Sequence, residues 1–367
     1  MTVQPTPDNT SLDALRVQID ALDKQLIALL NQRAVVAQHV GDIKRSEGSP
    51  FYRPDRAMQV IERVQKRNQG PLLNRHVDTI WREIMSACLA LESPQRVAVL
   101  GPAGTFCEQA GLQYFGSAVE LVYCANFDEV FHATEAGRAQ FGVVGVESSA
   151  EGVVTRSLDL FLRTPTQMVG EVSLMVRHNL LRLSNSLEGI EVVMAHAQAL
   201  AQCQSWLTKN LPNAERRAVS SNAEGARLAA TNVGFAALAS DRAASQFGLH
   251  VTVPAVQDDA HNRTRFAVIC LPETLPTPPA TGKDCTSVVV SVPNRPGALH
   301  DLLIPLKQNG VSMSRFESRP ARTGEWEYYF YIDIEGHPAD PNVANALLGL
   351  QATCAFYKVI GTYPISK

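Results

Sequence analysis

Four basic residues near the N-terminus have the types and spacing that chemistry on a small anion would need: Arg16, Arg33, Lys44 and Arg56. Leu12, Ile19, Leu26, Arg33 and Val40 recur at heptad spacing, so the Arg33 guanidinium falls on an otherwise apolar seam. A charge there needs an anionic partner. Two plainer readings stand beside that one: an ion pair with a nearby acid, or an arginine that snorkels to water at the end of the seam. Arg16 and Lys44 share a second heptad phase, and Arg56 opens the next predicted helix. Held together on rigid helices, the four would form a cationic cage for a small di-acid.

The elements that must position them can be read from periodicity. Leu12, Leu15, Ile19, Leu22, Leu26, Leu29, Val36, Val40 and Ile43 step by three and four, predicting an amphipathic helix over residues 12–43. At 1.5 Å per residue it is roughly 45–50 Å long, more than a small lone domain covers, so a partner subunit and at least a homodimer are expected. Gly48-Ser49-Pro50 ends it, a second helix runs from Pro54 to about Asn68, and Gly70-Pro71 breaks the chain again. Asn74 has the chemistry of a cap for a third helix carrying Val77, Ile80, Trp81, Ile84, Cys88 and Leu91. Residues 1–93 are thus expected to form one all-α unit.

From Arg96 the period changes. Val97–Leu100 reads as a buried strand stopped by Gly101-Pro102, and strand-like runs at Phe141–Val146, Glu171–Val176, Glu191–Ala195, Phe235–Ala239 and Arg265–Leu271 alternate with helical ones. That pattern predicts a two-lobed α/β unit over 94–271. Residues 272–284 hold Pro272, Pro276, Pro278, Pro279 and Gly282, the composition of a semi-rigid linker. Over 285–367 the order is strand (Thr286–Val292), helix from Pro296, strand near Val311–Glu317, strand at Glu327–Ile334, helix near Pro341–Leu350, and a last strand. This is a ferredoxin-like α+β unit of a size suited to ligand sensing, and the whole chain is multidomain.

Composition narrows the function classes. The 367 residues are 45% apolar and 19% charged, with 33 Lys+Arg against 36 Asp+Glu for a net charge of −3. Such a chain can bury real cores, and it has no overall basic field for nucleic acid or an anionic membrane. MTVQPTPDNTS lacks the basic and apolar regions of a signal peptide, and no apolar run approaches a membrane span, so a cytoplasmic protein is expected. Cys88, Cys107, Cys124, Cys203, Cys270, Cys285 and Cys354 are scattered with no C-x-x-C pair, which reads as reduced buried thiols and no metal site. No cofactor is called for.

The motifs bearing these residues resemble a known family. The run L-x-x-L-R-x-x-I-D-x-L-D, then L-L-N-Q-R, V-G-x-I-K and F-Y-R-P-D-R, with R-E-I-M-S-A-C-L-A-L-E on the third helix, resembles the helical chorismate mutase domain of bacterial bifunctional P-proteins. G-P-A-G-T-F (101–106), V-E-S-S-A-E-G-V-V (146–154), H-A-Q-A-L-A-Q-C (196–203) and T-R-F (264–266) resemble prephenate dehydratase, whose two lobes are like those of periplasmic binding proteins. N-R-P-G-A-L (294–299) and E-S-R-P (317–320) resemble the phenylalanine-binding ACT domain that ends such proteins. Three unrelated motif sets in the family's order carry far more weight than any one of them.

The resemblance implies roles residue by residue. Arg16 from the partner subunit and Arg33 would bind the substrate carboxylates, Lys44 would face the breaking ether oxygen, Arg56 would join them, and Cys88 and Glu92 would lie on the same face of the third helix. Some family members have Gln at the position of Glu92; a carboxylate cannot donate, so Glu92 would act protonated. Most have Glu after Arg56, where this chain has Ala57, a loss of roughly 1–3 kcal/mol if a substrate hydroxyl is left unpaired. Water or Asp55 would compensate, or the substrate differs.

In the dehydratase region Thr264 would donate to the departing hydroxide, helped by Gln202, Glu147, Ser149 and Thr105, with Arg265 and His196 beside the substrate. His196 is read as ordering its turn rather than as a general acid. Three departures stand out: Ser148 for Asn, Ala195 for Ser and Cys107 for Ser. Asn294, Gly297, Ala298 and Leu299, with Glu317, Ser318, Arg319 and Pro320, would bind phenylalanine, small residues letting backbone approach an amino acid at a helix start. The implied function is rearrangement of chorismate to prephenate, then decarboxylation and dehydration to phenylpyruvate, under feedback by phenylalanine. Two alternatives stay open: a paralogue acting on isochorismate or aminodeoxychorismate, and a dehydratase-dead phenylalanine-binding regulator. A third outcome, decarboxylation without dehydration, is opposed by the retained Thr264, and the intact Arg16, Arg33 and Lys44 speak against complete loss of catalysis.

Overall fold

A computed structural model of the chain describes residues 11–321 and 328–365. The leader-free reading of residues 1–10 and the expected strand start at Glu327 lie outside the described residues. The first helix, α1 (Leu12–Glu47), starts where the Ser11 side chain accepts from the Ala14 N–H, and stops at Gly48 in the left-handed region (φ 66°). It packs on α3 (Asn74–Glu92), with α2 (Pro54–Arg67) alongside. Asn74 is not the cap of α3 but its first residue; its Oδ1 is taken by the Asn68 amide at 2.8 Å, and Leu73 stands at the cap. Only one side of α1 is covered, and Leu22, Leu26, Leu29 and Val36 are all more than half exposed. No described helix is long and apolar enough to cross a membrane.

The middle of the chain forms two lobes. The first contains β1 (Arg96–Leu100), α4 (Phe106–Phe115), β2 (Glu120–Cys124), α5 (Phe127–Glu135), β3 (Phe141–Ser148), β4 (Gly152–Val153), α6 (Thr155–Arg163) and β5 (Gln167–Met175). The second contains β6 (Asn179–Arg182), β7 (Val192–Ala195), α7 (Ala197–Gln202), α8 (Gln204–Asn210), β8 (Glu215–Ala218), α9 (Asn222–Ala229), β9 (Phe235–Ala239), α10 (Asp241–Phe247) and β10 (His250–Val253), in a sheet ordered β10-β6-β9-β7-β8. The chain then returns to the first lobe as β11 (Arg263–Cys270), between β3 and β5. Two crossings therefore join the lobes, and they bond to each other: Val176 N–H to Asn262 O at 2.9 Å and Val256 N–H to His178 O at 2.8 Å.

The C-terminal unit is β12 (Asp284–Ser291), α11 (Ala298–Gln308), β13 (Met313–Pro320), β14 (Tyr328–Glu335), α12 (Pro341–Thr353) and β15 (Phe356–Pro364), in the expected β-α-β-β-α-β order. Its sheet, β13-β14-β12-β15, is not separate: β15 runs on to β5, so one continuous sheet spans this unit and the first lobe. The join is at Gly361 opposite Met168, where any Cβ would collide with the Met168 backbone. The core is shared as well, since Tyr331, Ile360 and Tyr363 pack with Phe131, Phe161 and Ile269. The proline-rich stretch is likewise laid down rather than free. Leu275 is buried against the first lobe and its carbonyl accepts from Gln167 at 2.6 Å, while His337 meets the Pro278 carbonyl at 2.8 Å.

Candidate active sites

Two clefts gather the chemically capable side chains. The first, about 710 Å³, lies among α1, α2 and α3, and Arg33, Lys44, Arg53, Arg56 and Arg82 face only Asp55 and Glu92 among its charged lining. Arg33 is half-buried and its Nη1 donates to the Cys88 thiol at 2.8 Å. Sulfur is a weak acceptor, and among the described residues no acid pairs with the seam arginine, unlike the ion-pair alternative. Lys44 Nζ donates to Glu92 Oε2 at 2.8 Å and to the Phe51 carbonyl at 2.9 Å. Asp55 is held bidentately by Arg53, at 2.9 and 2.8 Å. Arg56 and Ala57 line the cleft. Arg16 is elsewhere: exposed, paired with Asp13 at 3.2 Å, and about 25 Å along α1 from Arg33 at 1.5 Å per residue.

The same cleft is walled by Tyr114 and Phe115 at the end of α4. Tyr52 packs there with ring centroids 5.9 Å from Tyr114 and 5.1 Å from Phe115, and burial pushes its hydroxyl pKa up to about 12. The start of α4 belongs to the other cleft.

That second cleft, about 490 Å³, opens between the two lobes and is lined by Thr105, Phe106, Cys107, Ser148, His196, Gln202 and Thr264, all but Phe106 anticipated from sequence. Thr105 caps α4 by accepting from the Glu108 N–H at 3.2 Å and donates its own hydroxyl to the Leu100 carbonyl at 2.7 Å. Cys107 is buried, and loss of solvent pushes its thiol up to about 12, so it is an inert wall rather than a nucleophile. The His196 N–H donates to Asn222 Oδ1 at 2.9 Å, fixing the turn into α7.

Gln202 is the hub of a network that the sequence reading missed. Its Oε1 accepts from Asn262 Nδ2 at 3.1 Å and meets His178 Nε2 at 2.9 Å, while its Nε2 donates to Glu151 Oε1 at 2.9 Å. His178 is 3% exposed, and burial holds its pKa below the usual 6.5, with the Gln202 bond opposing. Because Gln202 Oε1 accepts, His178 carries its proton on Nε2. His178 Nδ1 and Asn262 Oδ1 are buried with no partner among the described residues. Burial also raises the Glu151 carboxyl above its usual 4.5, opposed by Gln202 and His196. His178 and Asn262 sit on the two interlobe crossings, which no periodicity marks.

Four of the expected residues do not reach the cleft. On β11, Thr264 lines it and Arg265 does not; on β3, Ser148 does and Glu147 does not. Successive strand residues face opposite sides, and the register Thr264 to Ser148 and Arg265 to Glu147 keeps each pair together. Arg265 instead bonds Glu171 at 2.8 Å, Glu147 at 3.3 Å and Asp333 at 2.6 Å. Burial disfavours its charge, but Asp333, Tyr363 and Glu171 outweigh that and raise its pKa. Ser149 closes the strand pair, its Oγ accepting from Arg263 N–H at 2.9 Å. Ala195 ends β7 fully buried in the second lobe's core.

At the C-terminal unit, Ser291 and Arg319 both pair with Tyr329. The turn at Asn294, Gly297, Ala298 and Leu299 therefore shares a sheet end with Glu317, Ser318, Arg319 and Pro320. Gly297 caps α11 at φ 80°, a left-handed conformation that favours glycine, and α11 begins at Ala298 rather than Pro296. Arg319 is turned to the first lobe, bonding Thr155 Oγ1 at 2.8 Å and Asp159 at 3.4 Å.

Comparison with known proteins agrees with this layout. Family models described as chorismate mutase type II, prephenate dehydratase and ACT domain match residues 15–93, 97–274 and 286–350. A bifunctional chorismate mutase/prephenate dehydratase of Neisseria gonorrhoeae is 47% identical over 352 residues, covering 95% of this chain and 96% of that protein. Among solved structures, prephenate dehydratase of Arthrobacter aurescens in complex with L-Phe is 33% identical with a TM-score of 0.68, covering 74% of this chain and 90% of that one. Another, described as a novel type of quorum quenching acylase, is 28% identical with a TM-score of 0.68, covering 74% and 98%. With helical, two-lobed and ferredoxin-like units in this order and a relative matching nearly end to end, the chain belongs to the family of bifunctional chorismate mutase/prephenate dehydratases.

Proposed function

We propose that the protein converts chorismate to prephenate in the helical cleft and prephenate to phenylpyruvate in the interlobe cleft. The observation that carries this reading is the pairing of a strongly cationic cleft with a hydroxyl- and amide-lined one at opposite ends of α4, roughly 15 Å apart at 1.5 Å per residue. The first step is a pericyclic rearrangement, which needs no nucleophile. Arg33 and Arg56 hold the carboxylates of the reactive conformer, and Lys44 stabilises charge growing on the ether oxygen as that bond breaks. Lys44 stays paired with Glu92 until substrate arrives. In the second step the ring carboxylate leaves as CO2, its bonding electrons aromatise the ring, and the hydroxyl departs as water with a proton passed through the Thr264 hydroxyl, which solvent reprotonates. Gln202, held by His178, Asn262 and Glu151, orients the substrate.

The exposed seam of α1 is covered in this reading by a second copy, whose Arg16 completes the helical cleft. The working division is 1–93 mutase, 94–271 dehydratase, 272–284 connector and 285–367 regulatory domain, with phenylalanine bound at the turn before α11 and the end of β13. Seven free thiols, six of them buried, suit the reducing cytoplasm. The test is to incubate the purified chain with chorismate, isochorismate and aminodeoxychorismate in turn and identify products. Phenylpyruvate from chorismate is expected; turnover of an alternative substrate alone would replace this reading with that of a specialised paralogue.

A further inference from the structure

We propose that Arg315 and Asp333 of the C-terminal unit are positioning residues of the dehydratase site, acting through Arg265 and Glu147 on the strand pair that carries Thr264 and Ser148. The proposal rests on reading the interlobe cleft as that site. Glu147 Oε2 is held by one arginine from each unit, Arg265 Nη1 at 3.3 Å and Arg315 Nε at 3.0 Å. Asp333 Oδ2 is shared in the same way, 2.6 Å from Arg265 and 4.0 Å from Arg315. Ser287 fixes the other Asp333 oxygen at 2.6 Å and reaches the Tyr363 hydroxyl at 3.1 Å. The side chains of Arg265, Arg315 and Asp333 are 21%, 12% and 5% exposed.

Glu147 is 38% exposed at the edge of the cluster, but the three charges it meets or adjoins are largely shielded from water and depend on one another. Removing one leaves its partners buried and uncompensated, so the cluster shifts as a unit or not at all. Two of its three dehydratase members are chain neighbours of the two cleft residues: Arg265 follows Thr264, and Glu147 precedes Ser148, while Glu171 pairs with Arg265. Each pair shares one planar peptide unit, so a backbone shift at Arg265 or Glu147 carries the neighbouring Thr264 or Ser148 with it. On the regulatory side, Arg315 stands two positions before Glu317 on β13. A ligand that moves the end of β13 therefore pulls on Glu147 through Arg315, giving a contiguous path to the site of dehydration.

The experiment is a double-mutant cycle on the full chain, Glu147→Gln against Arg315→Gln, with Arg315→Lys added. Dehydration of prephenate and rearrangement of chorismate are both measured. For Arg315→Gln the expected result is a fall of about tenfold in dehydratase kcat with KM within about twofold, and recovery of most of the rate in Arg315→Lys. The double variant is expected to be no slower than the slower single one, with mutase rates unchanged throughout. An active parent whose dehydratase kcat is untouched by Arg315→Gln, or single effects that simply multiply in the double variant, would overturn the inference. Should Arg315→Gln not fold, an unchanged kcat in Glu147→Gln overturns it equally. A parent unable to dehydrate prephenate would instead sink the reading of the cleft itself, and the inference with it.

Discussion

Glu92 shows how much one side chain decides. Its carboxylate meets Lys44 at 2.8 Å, the group that would stabilise the breaking ether, and a second donor there requires a proton on Glu92. Glu92→Gln, which donates without one, should raise mutase kcat by up to about tenfold; an unchanged rate would remove this position from that role. In the other cleft the departures from the family motif separate. Ser148 lines the cleft, whereas Ala195 is buried among apolar side chains. Ser148→Asn should raise dehydratase kcat/KM by up to about tenfold, the worth of one recovered hydrogen bond. Ala195→Ser should raise nothing and cost about 1–3 kcal/mol of stability for burying an unpaired hydroxyl, which assays and thermal melts would check. His178 supplies a pH test. Its folded pKa lies below the unfolded 6.5, so the unfolded chain binds the extra proton and stability falls as pH drops below about 6.5. His178→Gln should flatten that slope in melts, leaving the opposite effect of Glu151, which favours the folded state most at the acid end.

The elements explain which of these features could be read in advance. The helices and strands follow from the change of apolar period at Arg96 and from the Gly-Pro breaks, and the three units appear where the motifs divide. Strand alternation alone excludes Thr264 and Arg265 from sharing one cleft, and the same holds for Glu147 and Ser148, so that correction was already contained in the sequence. The junction of β15 with β5 was not: it rests on one register pair between residues far apart in the chain, and its only local trace is Gly361. Gly361→Ala should strain that junction by about 1–3 kcal/mol, lowering the melting temperature and disturbing dehydration more than the mutase reaction. His178 and Asn262 were equally hidden, because crossings between lobes have no period. For α1 the sequence was explicit, since the seam that looked too long to be covered by one chain is uncovered. Leu22→Glu with Leu26→Glu should yield monomers by sedimentation, with mutase activity lost and much of the dehydratase activity kept.

At the scale of the whole molecule, two clefts, one shared helix and one continuous sheet tie the functional units together. Near-neutral net charge hides this organisation: the helical cleft is strongly cationic, while the ion cluster between β11 and β13 sets two guanidinium groups against three carboxylates. The central claim is that one chain carries two separable reactions in sequence, and the most direct measurement follows both from a single addition of chorismate. Parent protein should consume chorismate and release phenylpyruvate. Arg33→Ala should leave chorismate untouched yet still dehydrate added prephenate, and Thr264→Ala should accumulate prephenate. Loss of both reactions in either variant, or phenylpyruvate formed by Thr264→Ala at the parent rate, would contradict the account.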